Sequence, residues 1–467
     1  MNTRILIKIK LYKIHLSVIL TQVITSNVKK LRSDFLNVRN TTSLIFEPIS
    51  IEDAVMQSDP FGSTPNWHIA HVTWFFQKIL EKYKQDVGDN SINTDYLNSY
   101  YQRYRKILPK SDRGKFPRPK VSETLKYRSL IEDMFLKFLD YIEKNNSLVH
   151  NIAYDIELAN QHEMQHQELL VYDLQHYFQR FEDPKDNYEP KITKKTKSMI
   201  DGADIEQDMV RISGGIYELG FSGDDFCYDN EIPEHKTYLN PYQIDRYPVT
   251  NREFIDFIDS GGYQDYRFWL SDGWDLVNEK EWKAPLYWQK IDGDWYKKDF
   301  GGLNKVPPNE PVTNVSYYEA DAYSKWVGKR LPTEAEWEKA ASWNEDLKRK
   351  TMYPWGDDLP LDLNANLLES WKWAPAPIGS YPQGRSHYGC HQMIGEVWEW
   401  TSSEYVLYPG FSSKFSEYTD KWAINQKVLR GGSFATPRLQ IRNSYRNYFK
   451  PHERIPFSGF RCVRDLL

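Results

Sequence analysis

Cysteine is scarce in this chain. Its three cysteines, Cys227, Cys390 and Cys462, are scattered and form no CxxC spacing, so neither a disulfide framework nor a thiolate zinc site is expected, and the usage suits a reducing cytoplasm. A basic excess is lacking too. Lys and Arg number 60 against 65 Asp and Glu, a formal net charge of −5, which leaves no electrostatic footprint for a phosphate backbone and argues against nucleic acid as a partner. No apolar run is long enough to span a bilayer, so a membrane is not expected as a partner either. The short run Leu16–Leu20 sits among basic residues, with Lys and Ile interleaved through Arg4–Lys13 and no clear small-residue cleavage site after it. Residues 1–42 therefore read as an extension ahead of the first domain rather than as a signal peptide.

What is present points to a multidomain globular protein. A chain of 467 residues, 40% apolar and 15% aromatic, has surface to bury and exceeds one ordinary core. From 43 to 180 the apolar residues recur at helical spacing, as in Trp67, Ala70, His71, Trp74, Phe75 and again in Ile131, Met134, Phe135, Phe138, Tyr141, which predicts a bundle of long helices. The pattern collapses over 181–208 into a polar stretch carrying Pro184 and Pro190, the composition of a linker. From 209 to 467, short apolar runs are punctuated by Gly, Pro and Asn, as in MVRISGGIYELG and VLRGGSFAT; an irregular, loop-rich domain is expected, and the fold class is α+β multidomain. One helix is predicted inside it, Ser316–Ala341, with Ser316 as N-cap and Glu319 completing a capping box. There is no internal repeat and no low-complexity tract.

In NQHEMQHQELLVYDLQH, His162 and His166 stand four apart, so roughly 400° of helical rotation leaves both imidazoles on one face, one turn apart. Glu168 lies about 200° from His166 and faces away, and Glu163 is rotated off as well. A third ligand is expected from another helix, and NWHIAHVTWFF offers His68 and His71. These two share a face, so spacing does not choose between them. Three histidines from facing helices suit zinc with one open position or iron(II) with several, and the pattern does not separate the two metals.

At these residues the chain resembles the sulfoxide synthases of ergothioneine biosynthesis, also called hercynine oxygenases. The likeness runs from about Phe46 to Leu467. The family pattern WHLAHTxWFFE matches WHIAHVTWFFQ, and HxxxHxE matches His162, His166 and Glu168. GEVWEWTSS (Gly395–Ser403), LRGGSF (Leu429–Phe434) and GFRCVRD (Gly459–Asp465) are similar to core motifs of formylglycine-generating enzymes. The resemblance implies a DinB-like four-helix bundle followed by a domain of the C-type-lectin and formylglycine-generating-enzyme type. It selects His71, His162 and His166 as ligands of Fe(II) and leaves His68 a supporting role. NSYY implies Tyr100 and Tyr101 as candidate proton donors, since a phenol with pKa near ~10 delivers a proton while resisting ionisation.

RNYF (Arg446–Phe449) resembles the family's RNFF, so Asn447, Tyr448 and Phe449 are implied to line the pocket of a trimethylated histidine, whose cation favours aromatic faces; Tyr448 departs from the pattern. DRGKFPRPKVSETLKYR looks like RGxLSRPTxxEVxxYR, which implies Arg113 and Arg118 as a clamp for the carboxylate of the sulfur donor. The implied substrates are hercynine, cysteine or γ-glutamylcysteine, and O₂. A formylglycine-generating activity is disfavoured, because Ala435–Tyr448 lacks the required cysteine pair. Two other readings stay open: histidine as acceptor, on the ovothiol route, and a non-catalytic metal-binding scaffold.

Overall fold

The computed structural model describes residues 27–85, 97, 109–145, 147, 150–181, 187–194, 208–413 and 422–466. Its contacts divide the chain into two compact units, Met1–Asp173 and Leu174–Leu467.

Four long helices dominate the first unit: α1 over residues 27–46, α2 Pro65–Lys82, α3 Val121–Asn145 and α4 His150–Phe178. Helix α2 starts where its sequence dictates. Thr64 is the N-cap and accepts a hydrogen bond from the Trp67 amide, and Pro65 fills the first helical position, where no N–H is needed. All four helices feed one apolar core. Phe35 of α1 stacks on Phe135 of α3 at 4.7 Å between centroids and meets Phe76 of α2 edge-on at 5.2 Å, while Ile156 and Ala159 of α4 complete the cluster.

Residues 27–42 are therefore not an extension. Val28, Leu31, Phe35 and Val38 are buried, the i, i+3, i+7, i+10 stripe of a core-facing helix. The same helix supplies charge to the interior. Arg39 Nη1 lies 2.8 Å from one oxygen of Glu163 on α4, and Arg128 Nη2 of α3 lies 2.7 Å from the other. Burial pushes the Glu163 carboxyl up, but the two guanidiniums outweigh it and hold it at about 2.

The second unit is built from short strands. Lys427–Arg430 lies between Trp398–Glu404 and Asn447–Phe449, antiparallel to both, and Ser458–Gly459 adds a parallel edge. A three-stranded sheet joins Met209–Ile212, Tyr242–Asp245 and Val463–Asp465. The helices are α5 Asn251–Asp259, α6 Ser271–Glu279, α7 Tyr317–Trp326 and α8 Glu334–Ser342. The Ser316–Glu319 capping box forms as expected, but the single helix predicted over Ser316–Ala341 is two. Gly328 takes φ +68° just past α7, Pro332 blocks continuation, and Thr333 with Glu336 makes a second capping box that starts α8. The boundary expected at 181–208 also shifts. The units divide inside α4, and Tyr188 packs edge-on against Phe300 and Trp373 of the second unit.

Paired charges hold this loop-rich unit together. Arg461 grips Glu399 with Nε and Nη2 at 2.7 and 2.8 Å, and Glu334 at the start of α8 accepts from Arg430 and Arg446, each at 2.7 Å. Among the described residues no helix is long and apolar enough to cross a membrane.

Burial pushes the Glu334 carboxyl up, yet Arg446 and Arg430 keep it below its ordinary value. The stability it contributes is thus full above an ordinary Glu pKa of ~4.3 and is lost as pH falls through the lower native value. Glu334→Gln leaves two buried guanidiniums underpaired and should cost about 3 kcal/mol or more near neutral pH. Urea unfolding followed by tryptophan fluorescence checks this, because all tryptophans except Trp67 and Trp74 lie in the second unit. The gap between variant and wild type should narrow in acid; a gap independent of pH would show that the ionised carboxylate is not the stabilising species.

Candidate metal centre

Helices α2 and α4 present four buried histidines to one another. The rings of His71, His162 and His166 form a near-equilateral triangle, with centroid separations of 4.9, 4.8 and 4.7 Å. One nitrogen from each ring lies within 4.8 Å of the other two. His71 Nε2 and His162 Nε2 approach to 3.2 Å, within the roughly 3.0–3.4 Å that separates two nitrogens sharing an ion at ~2.1 Å.

The hydrogen bonds orient these rings. His71 Nδ1 lies 2.5 Å from the Leu97 carbonyl, which can only accept, so the proton sits on Nδ1 and the lone pair on Nε2. His166 Nδ1 faces His68 Nδ1 at 2.8 Å, and His68 Nε2 faces Asp173 Oδ2 at 2.9 Å. Burial is the largest cause holding His71 and His166 well below the usual histidine pKa, and it brings His162 to about 3. All three are neutral at pH 7, the state in which an imidazole ligates. This donor set fits a divalent transition metal and leaves further coordination positions to other molecules.

Aromatic surfaces close off the triangle. Trp67 stacks on His71 with centroids 4.4 Å apart and planes 12° apart, and Phe75 lies 4.3 Å from His162. Arg113 sits over the far face of this layer, its guanidinium 3.4 Å from the Trp67 ring centroid and its Nη1 donating to Ser63 Oγ. Burial lowers Arg113 to about 9, against the upward pull of Asp173; it stays charged at neutral pH.

His162 and His166 of α4 are brought together with His71 of α2. His68, left open by spacing, stands behind His166 rather than in the triangle. Glu168 faces off the site and accepts from the Tyr172 hydroxyl. Arg113 lies on the Trp67 ring, whereas Arg118 is exposed and donates to the carbonyl of its neighbour Pro117. Tyr100 and Tyr101 lie outside the described residues. Asn447, Tyr448 and Phe449 form an edge strand of the second unit; Tyr448 stacks on Tyr405 at 3.9 Å and the Asn447 Oδ1 accepts from the Tyr448 amide. A cleft of about 320 Å³ in that unit is lined by Trp288, Trp373, Phe434, Phe457 and Asp299, and by none of these three.

Asp173 was not among the expected site residues. It falls seven positions after His166 and so on the same face of α4, a spacing that could have found it.

Replacing His71, His162 or His166 by alanine should each lower divalent-metal affinity at least ~100-fold, beyond the effect of losing a supporting contact, while Glu168→Gln should bind as wild type. Titration with a competing chromophoric chelator separates the outcomes. Unchanged affinity in any one of the three alanine variants would remove that residue from the ligand set.

Residues 196–466 match the sulfatase-modifying factor enzyme 1-like domain. The hercynine oxygenase of Mycolicibacterium thermoresistibile is 30% identical over 457 residues, covering 96% of this chain and 97% of its own length. That of Mycobacterium tuberculosis is 42% identical over 240 residues, covering 51% of this chain and 56% of its own. The formylglycine-generating enzyme of Thermomonospora curvata is 30% identical over 298 residues, covering 56% of this chain and 95% of its own. A likeness over 96% of the chain takes in both units, the buried histidines included, and on that ground the chain belongs to the hercynine oxygenase family of oxygen-dependent oxidoreductases, with a sulfatase-modifying factor enzyme 1-like domain in its C-terminal half.

Proposed function

We propose that this chain is a non-haem iron(II) sulfoxide synthase that joins hercynine to cysteine or γ-glutamylcysteine with O₂. The observation that carries the proposal is the triangle of neutral imidazoles within a chain that is similar over 96% of its length to a hercynine oxygenase. The reaction breaks the ring C–H and the thiol S–H bond and forms C–S and S–O bonds. One oxygen atom enters the sulfoxide, and the other leaves as water with both hydrogens, so O₂ takes up the four electrons released. Ferrous iron, when bound by His71, His162 and His166, supplies the redox chemistry that O₂ requires and acidifies a coordinated thiol.

The chain's own residues do the rest. Trp67, Trp74 and Phe75 exclude water from the histidine face and so strengthen every charge interaction there. Arg113, buried and cationic, presents positive charge beside that face and suits the carboxylate of the thiol substrate. Tyr100 and Tyr101 enter on the resemblance alone, as the two candidate proton donors; so do Asn447, Tyr448 and Phe449 as the acceptor's pocket and the DinB-like character of the helical unit.

Iron-loaded protein given hercynine and each thiol in competition should consume O₂ and release a hercynyl sulfoxide detected by mass spectrometry. No O₂ uptake with both substrates present would sink the reading, and faster turnover of histidine than of hercynine would reassign the acceptor. Tyr101→Phe should keep its iron yet divert O₂ to thiol oxidation. Arg113→Gln should raise KM for the thiol a few-fold, the loss of a positive charge acting across the Trp67 ring rather than of a direct hydrogen bond, with KM for hercynine unchanged.

A further inference from the structure

Behind the triangle lie two buried polar groups that the reaction as written does not use, His68 and Asp173. Their contacts leave little freedom. Asp173 Oδ1 accepts from the Ser58 hydroxyl at 2.7 Å, and Oδ2 accepts from the Ser63 amide at 2.9 Å. With both oxygens accepting, the carboxylate can only accept from His68 Nε2, 2.9 Å away, and that nitrogen must carry a proton. A neutral His68 that carries its proton on Nε2 has a bare Nδ1. The 2.8 Å approach of His68 Nδ1 to His166 Nδ1 is then a hydrogen bond only if His166 donates.

We propose that Asp173 and His68 act in series as positioning residues: Asp173 sets the tautomer of His68, and His68 in turn fixes the proton of His166 on Nδ1 and its lone pair on Nε2, facing the triangle. The inference rests on the reading of that triangle as a metal site. It gives the ligands two different anchors, since His71 takes its orientation from the backbone carbonyl of Leu97, whereas His166 takes its own through a second imidazole ending on a carboxylate. A histidine ligand whose other nitrogen is tied to a carboxylate is held in orientation and made more basic; here the tie has one extra link.

Two substitutions at position 68 separate this role from packing, because the two roles rank them oppositely. His68→Asn places its Oδ1 where Nδ1 stood and still accepts from His166, but leaves a void. His68→Phe fills the volume and accepts nothing. The test uses full-length, metal-free protein with ¹⁵N-labelled histidine, reading tautomers by long-range proton–nitrogen correlation, alongside Zn²⁺ affinity by chelator competition.

In wild type and His68→Asn, His166 should be the Nδ1–H tautomer with Zn²⁺ affinity close to wild type. In His68→Phe it should turn to Nε2–H or a mixture, and affinity should fall about 10–100-fold. The proposal is overturned if His68→Phe keeps both tautomer and affinity while His68→Asn loses them. The wild-type spectrum needs no variant: Nε2–H on His166 in a protein that binds Zn²⁺ tightly overturns the series alone. Wild type that shows the expected tautomer but binds no Zn²⁺ overturns the metal reading, and the purpose given to the pair with it.

Discussion

The helical unit depends on α4 standing at one rotation about its own axis, and the buried carboxylate of Glu163 holds it there. Glu163 follows His162 directly and therefore points about 100° away from it. On that side it meets Arg39, Arg128 and the Thr42 hydroxyl, and one turn on, Gln167 donates to the Val38 carbonyl and to Thr42. On the other side His162, His166 and Asp173 share a face toward α2. One helix thus carries two polar faces inside one apolar core. A buried ion network adds little net stability over well-packed hydrophobics, but any other rotation of α4 would take the Glu163 carboxylate away from both guanidiniums. The network specifies; the phenylalanine cluster stabilises.

That specification lets three imidazoles meet. Protonated histidines would repel one another at these separations, and burial removes the difficulty by keeping each ring neutral. Glu168 accepts from the Tyr172 hydroxyl rather than joining the triangle. A divalent ion held by neutral nitrogens alone keeps its full charge in a low-dielectric setting, and Arg113 adds to the positive potential across Trp67. Such a site favours anionic ligands in the remaining positions and acidifies a thiol placed there.

Helices α2, α3 and α4 were legible in the sequence because their apolar residues keep one period over many turns, and the pair His162 and His166 was legible for the same reason. The choice between His68 and His71 was not, since residues three apart share a face; it needed the resemblance, and in the structure both converge on His166 from different sides. Helix α1 escaped notice although Val28, Leu31, Phe35 and Val38 mark its buried stripe, because Lys29, Lys30 and Arg32 on its outer face gave the segment the look of a basic tail. Ser316–Ala341 was read as one helix because apolar periodicity resumes after Gly328 and Pro332. The second unit was legible only as a class. Its strands span two to seven residues, too short for a period to declare itself, and its cohesion comes from pairs such as Glu231 with Arg442, 211 positions apart.

The motifs shared with formylglycine-generating enzymes are, in this structure, parts of a scaffold. Glu399 of GEVWEW and Arg461 of GFRCVRD are each other's buried partners. The glycines of LRGGSF sit at φ +93° and +75°, and a Cβ on Gly431 would stand 2.4 Å from the Met393 carbonyl oxygen, so these positions exclude a side chain for steric reasons. Cys390 and Cys462 are buried, and burial raises Cys390 to about 11, far from the thiolate that catalysis would need. Matching residues that bear the fold transfer the fold, and matching residues that bear the chemistry transfer the chemistry. The likeness to a hercynine oxygenase runs over 96% of this chain and takes in His71, His162 and His166, whereas that to a formylglycine-generating enzyme covers 56% of it.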